Sequence, residues 1–374
     1  MRRDLAIPAL CAFAAALGGP AAREVGAETS SWSQRVETPG EQKAGAGQST
    51  GQRKSSAAAK KPAAAQPATP AQKQKPSGTT VSKTVPSTVP ATGEDAAYLA
   101  FDQGQYLTAL KLAQEAASRG DATANTLIGR IYQEGLGVPQ DSKTAANWYT
   151  RAAEMGDIPA TFELAMLLAQ GKGVEKNREA AAKLFEKAAL TGHALANYNL
   201  GLLFLKGDGK PENPYRALDH IRFAAEKGVA QAQYDLSAMY QKGEGTQPNA
   251  LEAAKWLSRA AAQGLDVAQY DYAVLLLKGF GLTRDEPKAI GYLKAAAEKG
   301  LPGAQNRLAW VYLEGVGTDK NPVEAATWRY IARRNGFEDA KLDDEVAKLS
   351  KTDRASAQKA ASEWSDRIQV QPIE

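Results

Sequence analysis

The sequence is poor in the residues that form covalent cross-links and metal sites. Its 374 residues include one cysteine and two histidines. The cysteine, Cys11, lies in an apolar stretch near the N-terminus, so no internal disulfide can form. Zinc and similar ions are held mainly by cysteine and histidine, usually with three or more protein ligands. The composition therefore predicts no metal site, and the chain carries none of the short motifs typical of cofactor binding or serine and histidine catalysis.

A long apolar run is also missing. The most apolar N-terminal stretch, residues 5–19, is shorter than the roughly 20 residues that a membrane-spanning helix needs. Arg2 and Arg3 precede it, and Val25-Gly26-Ala27 follows it, which is typical of a secretory signal peptide. Residues 1–27 are therefore predicted to be a cleaved signal peptide. This prediction places the protein in the periplasm or outside the cell, without a transmembrane segment after cleavage.

Residues 28–93 lack apolar periodicity and are rich in Ala, Pro, Lys, Gln, Ser and Thr. Such a segment buries too little surface to offset the entropy of ordering it, so we predict a disordered linker. It is either a passive spacer or a basic tether to an anionic envelope surface. Most of the excess positive charge lies there, and the rest of the chain is near neutral. The sequence therefore indicates no nucleic-acid partner.

Glycine pairs separated by one residue recur every 36 residues, from Gly135 and Gly137 to Gly315 and Gly317. One of them, in the stretch "LKGDGK", resembles a phosphate-binding loop because lysines flank it. A turn that recurs six times in register is instead a feature of the architecture. A second glycine series runs from Gly120 to Gly336 with the same interval. We therefore predict six repeats in residues 120–335, a capping helix pair in 94–119 and capping helices in 336–374.

Each repeat contains two apolar stripes at helical spacing. Counted from the leading glycine, positions 4, 25 and 32 are alanine in all six repeats, and positions 8 and 12 are large and apolar. Stripes with this spacing predict two helices separated by the glycine turn. The alanines allow the helices to approach closely, and the leading glycine suits a left-handed residue that ends the second helix.

The pattern Gly-x-x-x-Ala-x-Tyr-x-Leu-Gly, then Gly-x-Gly, then Ala-x-x-Trp-Tyr-x-x-Ala-Ala resembles the Sel-1-like repeat family. The stretch "GRIYQEGLGVPQDSKTAANWYTRAAEMG" shows it well. This family is a branch of the tetratricopeptide-like solenoids. The resemblance implies an all-α fold, a right-handed α-solenoid of antiparallel helix pairs. It also implies a scaffold without catalysis, which binds a protein or extended peptide in the cell envelope. The alternatives are a peptidoglycan or glycan binder and, less favoured, a cell-wall hydrolase or β-lactam-processing enzyme.

The first helix of each repeat carries a second stripe, at positions 3, 6, 7, 10 and 13. In similar tetratricopeptide solenoids this stripe lies on the concave surface and faces the ligand. Aromatic residues with interspersed Asn and Asp suit an extended peptide with apolar anchors and some positive charge. For position 6 an equal alternative is packing against the next repeat, and for position 7 the favoured alternative is a solvated polar surface. The predicted partner-binding residues are Phe162, Tyr198, Asn199, Leu202, Tyr234, Asp235, Gln241, Tyr270, Asp271 and Trp310.

Overall fold

The structure is a computed structural model and describes residues 93–370. The predicted signal peptide and residues 28–92 of the predicted linker lie outside the described residues. Within residues 93–370 the regular secondary structure consists of sixteen α-helices. In chain order they are α1 (Gly93–Asp102), α2 (Tyr106–Ser118), α3 (Ala122–Glu134), α4 (Ser142–Glu154), α5 (Ile158–Gln170), α6 (Arg178–Leu190), α7 (Ala194–Lys206), α8 (Pro214–Glu226), α9 (Ala230–Lys242), α10 (Ala250–Ala262), α11 (Asp266–Lys278), α12 (Glu286–Glu298), α13 (Pro302–Glu314), α14 (Pro322–Arg334), α15 (Ala340–Ala347) and α16 (Lys351–Val370).

The helices stack as consecutive pairs. Each of the six repeats is one pair, from α3 and α4 in the first repeat to α13 and α14 in the sixth, and every pair also packs against the next one. A single pair exposes an apolar face, which it buries only by stacking on its neighbours. The architecture is therefore the predicted all-α solenoid of helix pairs.

The helix boundaries follow from local sequence chemistry. The second helix of every repeat begins after an Asp or Asn whose side chain accepts hydrogen bonds from backbone N–H groups of the first turn, as Asn213 does from the N–H of Arg216 at 3.0 Å. These groups would otherwise lack partners. The six capping residues are Asp141, Asn177, Asn213, Asn249, Asp285 and Asn321.

The glycine turn is a contact between neighbouring repeats. Gly207 ends α7 in the left-handed conformation, with φ at 66°. A Cβ atom added at Gly209 would lie 2.5 Å from the carbonyl oxygen of Arg178, the first residue of α6 in the preceding repeat. The Arg178 guanidinium also pairs with the carboxylate of Asp208. The turn therefore needs glycine in order to approach the preceding repeat, and its function is architectural.

The repeated alanines are part of the packed interior, as close approach of the helices requires. All eighteen side chains at positions 4, 25 and 32 are buried. Position 9 shows why small residues are needed, because a Cβ atom at Gly201 of α7 would lie 2.6 Å from Cγ1 of Ile221 on α8. Interiors packed this closely do not accept added methylene groups without strain.

Ala232→Leu is expected to lower the free energy of unfolding by roughly 1–3 kcal/mol, because Ala232 is fully buried in α9. Urea unfolding followed by circular dichroism measures the change. Lys255→Leu on the exposed side of α10 is the control and should stay within about 0.5 kcal/mol of the wild type. Equal stability of the two variants would mean that position 4 accepts a larger side chain and is not a closely packed helix crossing.

The last two helices cover the end of the sixth repeat. Helix α16 packs on α14, where the rings of Trp328 and Trp364 meet edge to face at 5.8 Å. Helix α15 is fastened through Arg329, a buried side chain of α14. The apolar face of the last repeat is thus closed by helices that present charged residues to the other side, in the manner of a capping unit.

Candidate functional site

Side chains at positions 6 and 7 of the first helices form one continuous face of the stacked repeats, which we call the first-helix face. In its middle part, the tyrosines at position 6 of the third and fourth repeats contact the aspartate at position 7 of the next repeat. The Tyr198 hydroxyl donates to Oδ2 of Asp235 at 2.7 Å, and the Tyr234 hydroxyl donates to Oδ2 of Asp271 at 2.9 Å. Charge-assisted bonds of this kind hold successive first helices in register.

Burial sets the protonation of these pairs. It raises the pKa of Asp235 to about 6, although the hydrogen bond from Tyr198 favours the carboxylate. Burial also raises the pKa of Tyr198 and Tyr234, and the facing aspartates add to the effect. Both phenols therefore remain protonated donors near neutral pH.

The structure divides the ten predicted partner-binding residues into two groups. The half-buried group consists of Leu202, Tyr234, Asp235 and Trp310. The buried group consists of Phe162, Tyr198, Asn199, Gln241, Tyr270 and Asp271. Tyr198, for example, is 2% exposed and is engaged by the next repeat, which is the packing role given above as the alternative for position 6. The buried group thus offers a partner little surface. Direct partner contact by the half-buried residues stays a prediction.

The tyrosine–aspartate pairing does not extend to the first two repeats. Position 6 of the first repeat is Thr126, whose hydroxyl donates to Oδ1 of Asp157 at 2.9 Å. Position 7 of the second repeat is Glu163, which has no hydrogen bond or ion pair with any residue in the described part of the chain. Position 6 of the second repeat is Phe162, which has no hydroxyl group to donate to Asn199 at position 7 of the third repeat. The Oδ1 atom of Asn199 is buried without a hydrogen-bond partner.

A cavity of about 470 Å³ lies where a tyrosine at position 126 would project, since both Thr126 and Glu163 line it. We call it the Glu163 cavity. Helices α1, α3, α4, α5 and α7 all contribute to its walls. Its apolar wall consists of Leu127, Phe162, Met166, Leu167 and Leu195, and its polar groups include Tyr98, Arg130, Gln133, Glu134, Tyr149, Asp157 and Glu163. Its size is within the range of small-ligand pockets.

Burial of the Glu163 carboxyl raises its pKa to about 7. The positive charge of Arg130 opposes this shift, and the negative charge of Glu134 adds to it. Arg130 is itself engaged, because its Nε donates to Oε1 of Glu134 at 2.8 Å and its guanidinium lies 4.9 Å from the centroid of the Phe101 ring. The Gln133 Oε1 atom is buried without a hydrogen-bond partner. Glu163 is therefore the acid of the cavity that lacks a hydrogen-bond or ion-pair partner among residues 93–370.

Sequence reasoning did not single out Glu163, Arg130 or Gln133, although it selected the adjacent Phe162. Within one repeat, Glu163 resembles the other polar residues at position 7. The signal that distinguishes it is the residue 37 positions earlier, which is Thr126 for Glu163 but tyrosine for Asp235 and Asp271. An acid at position 7 without a tyrosine in the preceding repeat indicates an unpaired group.

The model of the Sel1 repeat matches residues 103–337 in seven consecutive units, which is more than half of the chain. The chain belongs to the Sel1 repeat family. The units are 103–121, 122–157, 158–193, 194–229, 230–265, 266–301 and 302–337. The first match is short and includes α2. Sel1 repeat proteins are generally scaffolds for protein interaction and not catalysts.

Several solved structures are similar to this Sel1 repeat chain. A Sel1 repeat protein from Oxalobacter formigenes is 30% identical over 67% of this chain and 100% of its own, with a TM-score of 0.58. The protective antigen c5321 of uropathogenic Escherichia coli, which displays an SLR fold, is 24% identical over 75% of this chain and 72% of its own, with a TM-score of 0.48. The immunity protein Pa5087 from Pseudomonas aeruginosa is 21% identical over 67% of this chain and 88% of its own, with a TM-score of 0.34. No match was found among curated proteins.

The Glu163 cavity offers groups that recognise a ligand by charge and hydrogen bonding. Across residues 93–370, no group of three or more His, Cys, Asp or Glu side chains is arranged to hold a metal ion. In the same part of the Sel1 repeat chain, no helix combines the length and apolar character required to cross a membrane. A carboxyl group, an amide oxygen and apolar side chains together suit a ligand that has an apolar body and hydrogen-bond donors.

Proposed function

We propose that this Sel1 repeat protein is exported and acts as a non-catalytic scaffold that binds an extended polypeptide in the cell envelope along the first-helix face. The observation that carries this proposal is the Glu163 cavity. It is an opening on a face whose middle part is closed by tyrosine–aspartate contacts. Peptides bound in grooves gain affinity where a side chain enters a pocket of this kind. The half-buried residues Leu202, Tyr234 and Trp310 of the first helices are the further contacts that we propose for the partner.

The packing of the first helices supports binding by a preorganised surface. Tyr198 and Tyr234 join three consecutive repeats through their hydrogen bonds to Asp235 and Asp271. A partner would therefore meet a face that is already ordered, and little conformational entropy would be lost on binding. Export is supported by the signal-like features of residues 1–27.

Position-specific crosslinking in the cell envelope tests this proposal. A photoreactive amino acid replaces Gln170, which lines the cavity, and in a separate full-length variant it replaces Lys255, which is exposed on α10. We expect a protein partner to crosslink at position 170 and not at position 255, in a periplasmic fraction where the protein begins at Glu28. The same crosslinked products at both positions would contradict the proposal. Retention on isolated peptidoglycan with no crosslinked protein would also contradict it, in favour of the glycan alternative.

A further inference from the structure

The Glu163 cavity is asymmetric in its chemistry. One wall is apolar, while the carboxyl group of Glu163 on the polar side has no hydrogen-bond or ion-pair partner among residues 93–370. A carboxylate that is largely withdrawn from water and has no partner is destabilised by the loss of its hydration. A ligand that fills the cavity with apolar atoms alone would leave this cost in place, so the missing component is a hydrogen-bond donor.

The charge around the cavity indicates which donor fits. Three carboxyl groups line it, those of Glu134, Asp157 and Glu163, against the single guanidinium of Arg130. Asp157 already accepts from the backbone N–H of Ala160 at 2.7 Å and from Thr126, and Glu134 accepts from Arg130. Glu163 is therefore the carboxylate that remains for an incoming positive charge. An anionic ligand would be repelled by the same groups.

We propose that the Glu163 cavity is the anchor site for a lysine or arginine side chain of the polypeptide partner, with Glu163 as its counter-charge. This inference rests on the proposed function and names the chemistry of the partner. Lysine and arginine carry a long apolar stem that ends in a cation. The stem packs against the apolar wall formed by residues such as Met166 and Leu167, and the charged end reaches Glu163.

The tyrosine–aspartate pairs explain why the site occurs at this repeat. In the fourth and fifth repeats the partner of the acid at position 7 is built into the chain, because a tyrosine of the preceding repeat fills the space and donates. At Glu163 the preceding repeat supplies Thr126, so both the space and the donor are missing. The incoming side chain thus takes the place that a tyrosine occupies elsewhere.

Positional peptide arrays provide the test, with the full-length protein as the probe. The arrays carry extended peptides in which each position is varied, and every Lys or Arg is compared with norleucine and citrulline at the same position. We expect one position to require Lys or Arg. Glu163→Gln should weaken binding of the preferred peptide about tenfold, as expected for the loss of one ion pair. Glu179→Gln, an equal change of charge on the exposed side of α6, should leave it unchanged.

A second variant tests the cavity without removing the acid. Thr126→Tyr should fill the space, donate to Glu163 and reduce binding at least as much as Glu163→Gln, while the protein keeps its helical signal. Because Tyr198 and Tyr234 already make this contact in other repeats, the variant is expected to fold. Unchanged peptide binding by Thr126→Tyr would overturn the assignment of the cavity.

The pH dependence of peptide binding shows whether the affinity depends on ionisation of Glu163 or only on the shape of the cavity. The titratable groups that face Glu163 from the surrounding helices are Tyr98, Arg130, Glu134, Tyr149 and Asp157, with His193 behind Phe162. Burial raises the pKa of Tyr149, so its phenol stays neutral between pH 6 and 8, and burial lowers the pKa of His193, which favours its neutral ring. Affinity for the lysine peptide should rise about tenfold over that interval in the wild type and stay level in Glu163→Gln.

The outcomes separate this inference from the proposed function. Peptides that bind the first-helix face with no requirement for Lys or Arg, and equally well to Glu163→Gln, would overturn the anchor site and leave the scaffold function in place. An array on which no peptide binds the wild-type protein would contradict both.

Discussion

Asp343→Ala is expected to lower the free energy of unfolding of the C-terminal end of the stack by about 2–4 kcal/mol. Arg329 of α14 is 1% exposed, and its Nε and Nη2 atoms donate to the two carboxylate oxygens of Asp343 on α15, both at 2.7 Å. Truncation of Asp343 leaves a buried cation whose remaining acceptors are the side-chain oxygen of Asn306 and the carbonyl of Phe337. Removing one partner of such a pair costs more than the pair itself contributes.

Urea unfolding followed by circular dichroism measures this effect. Repeats interact mainly with their neighbours, so the loss should appear as an earlier transition of the C-terminal helices and not as a uniform shift. Asp344→Ala is the matched control, because Asp344 is the next residue of α15 and is exposed. The control should change stability by no more than about 0.5 kcal/mol. Similar unfolding curves for Asp343→Ala and Asp344→Ala would mean that water hydrates the Arg329 guanidinium once the carboxylate of Asp343 is removed.

The fold could be predicted because its constraints repeat. The leading glycine is favoured by its positive φ, while the crossing alanine and the glycine turn are favoured by close packing, and these constraints recur from repeat to repeat. Gly209 against Arg178 and Gly201 against Ile221 are two of these contacts. A pattern that recurs six times at a fixed interval can be read from one sequence without the structure.

The site was only partly predictable, because its contacts join different repeats. Position 6 was identified as an aromatic stripe. The sequence of one repeat does not show whether these side chains face a partner or pack against the next repeat. The donor Tyr198 and the acceptor Asp235 are 37 residues apart. The burial of Tyr198 follows from that contact. Glu163 was missed for the same reason, since its distinguishing feature is the absence of a tyrosine in the preceding repeat.

Glu163→Gln is expected to raise the stability of the unliganded protein at pH 8 and to leave it almost unchanged at pH 4.5. Burial raises the pKa of Glu163 from 4.5 to about 7, so folding favours the protonated acid. The protonated state stabilises the fold fully below the unfolded pKa, and this contribution is lost as pH rises through about 7. At pH 8 the wild type therefore holds an unpaired, half-buried carboxylate, and glutamine removes its charge. We expect a gain of about 1–3 kcal/mol at pH 8 after allowance for partial exposure.

Thermal melting at both pH values measures this difference. Glu179→Gln is the control, because Glu179 is exposed and its hydrogen bond with Lys183 lowers its pKa, which is the opposite direction to the shift at Glu163. That control should show no gain at pH 8. Equal melting of wild type and Glu163→Gln at pH 8 would mean that Glu163 is solvated and ionised at no cost. A gain would show that the chain retains a carboxylate that destabilises it, which is the cost expected of a group kept for a ligand.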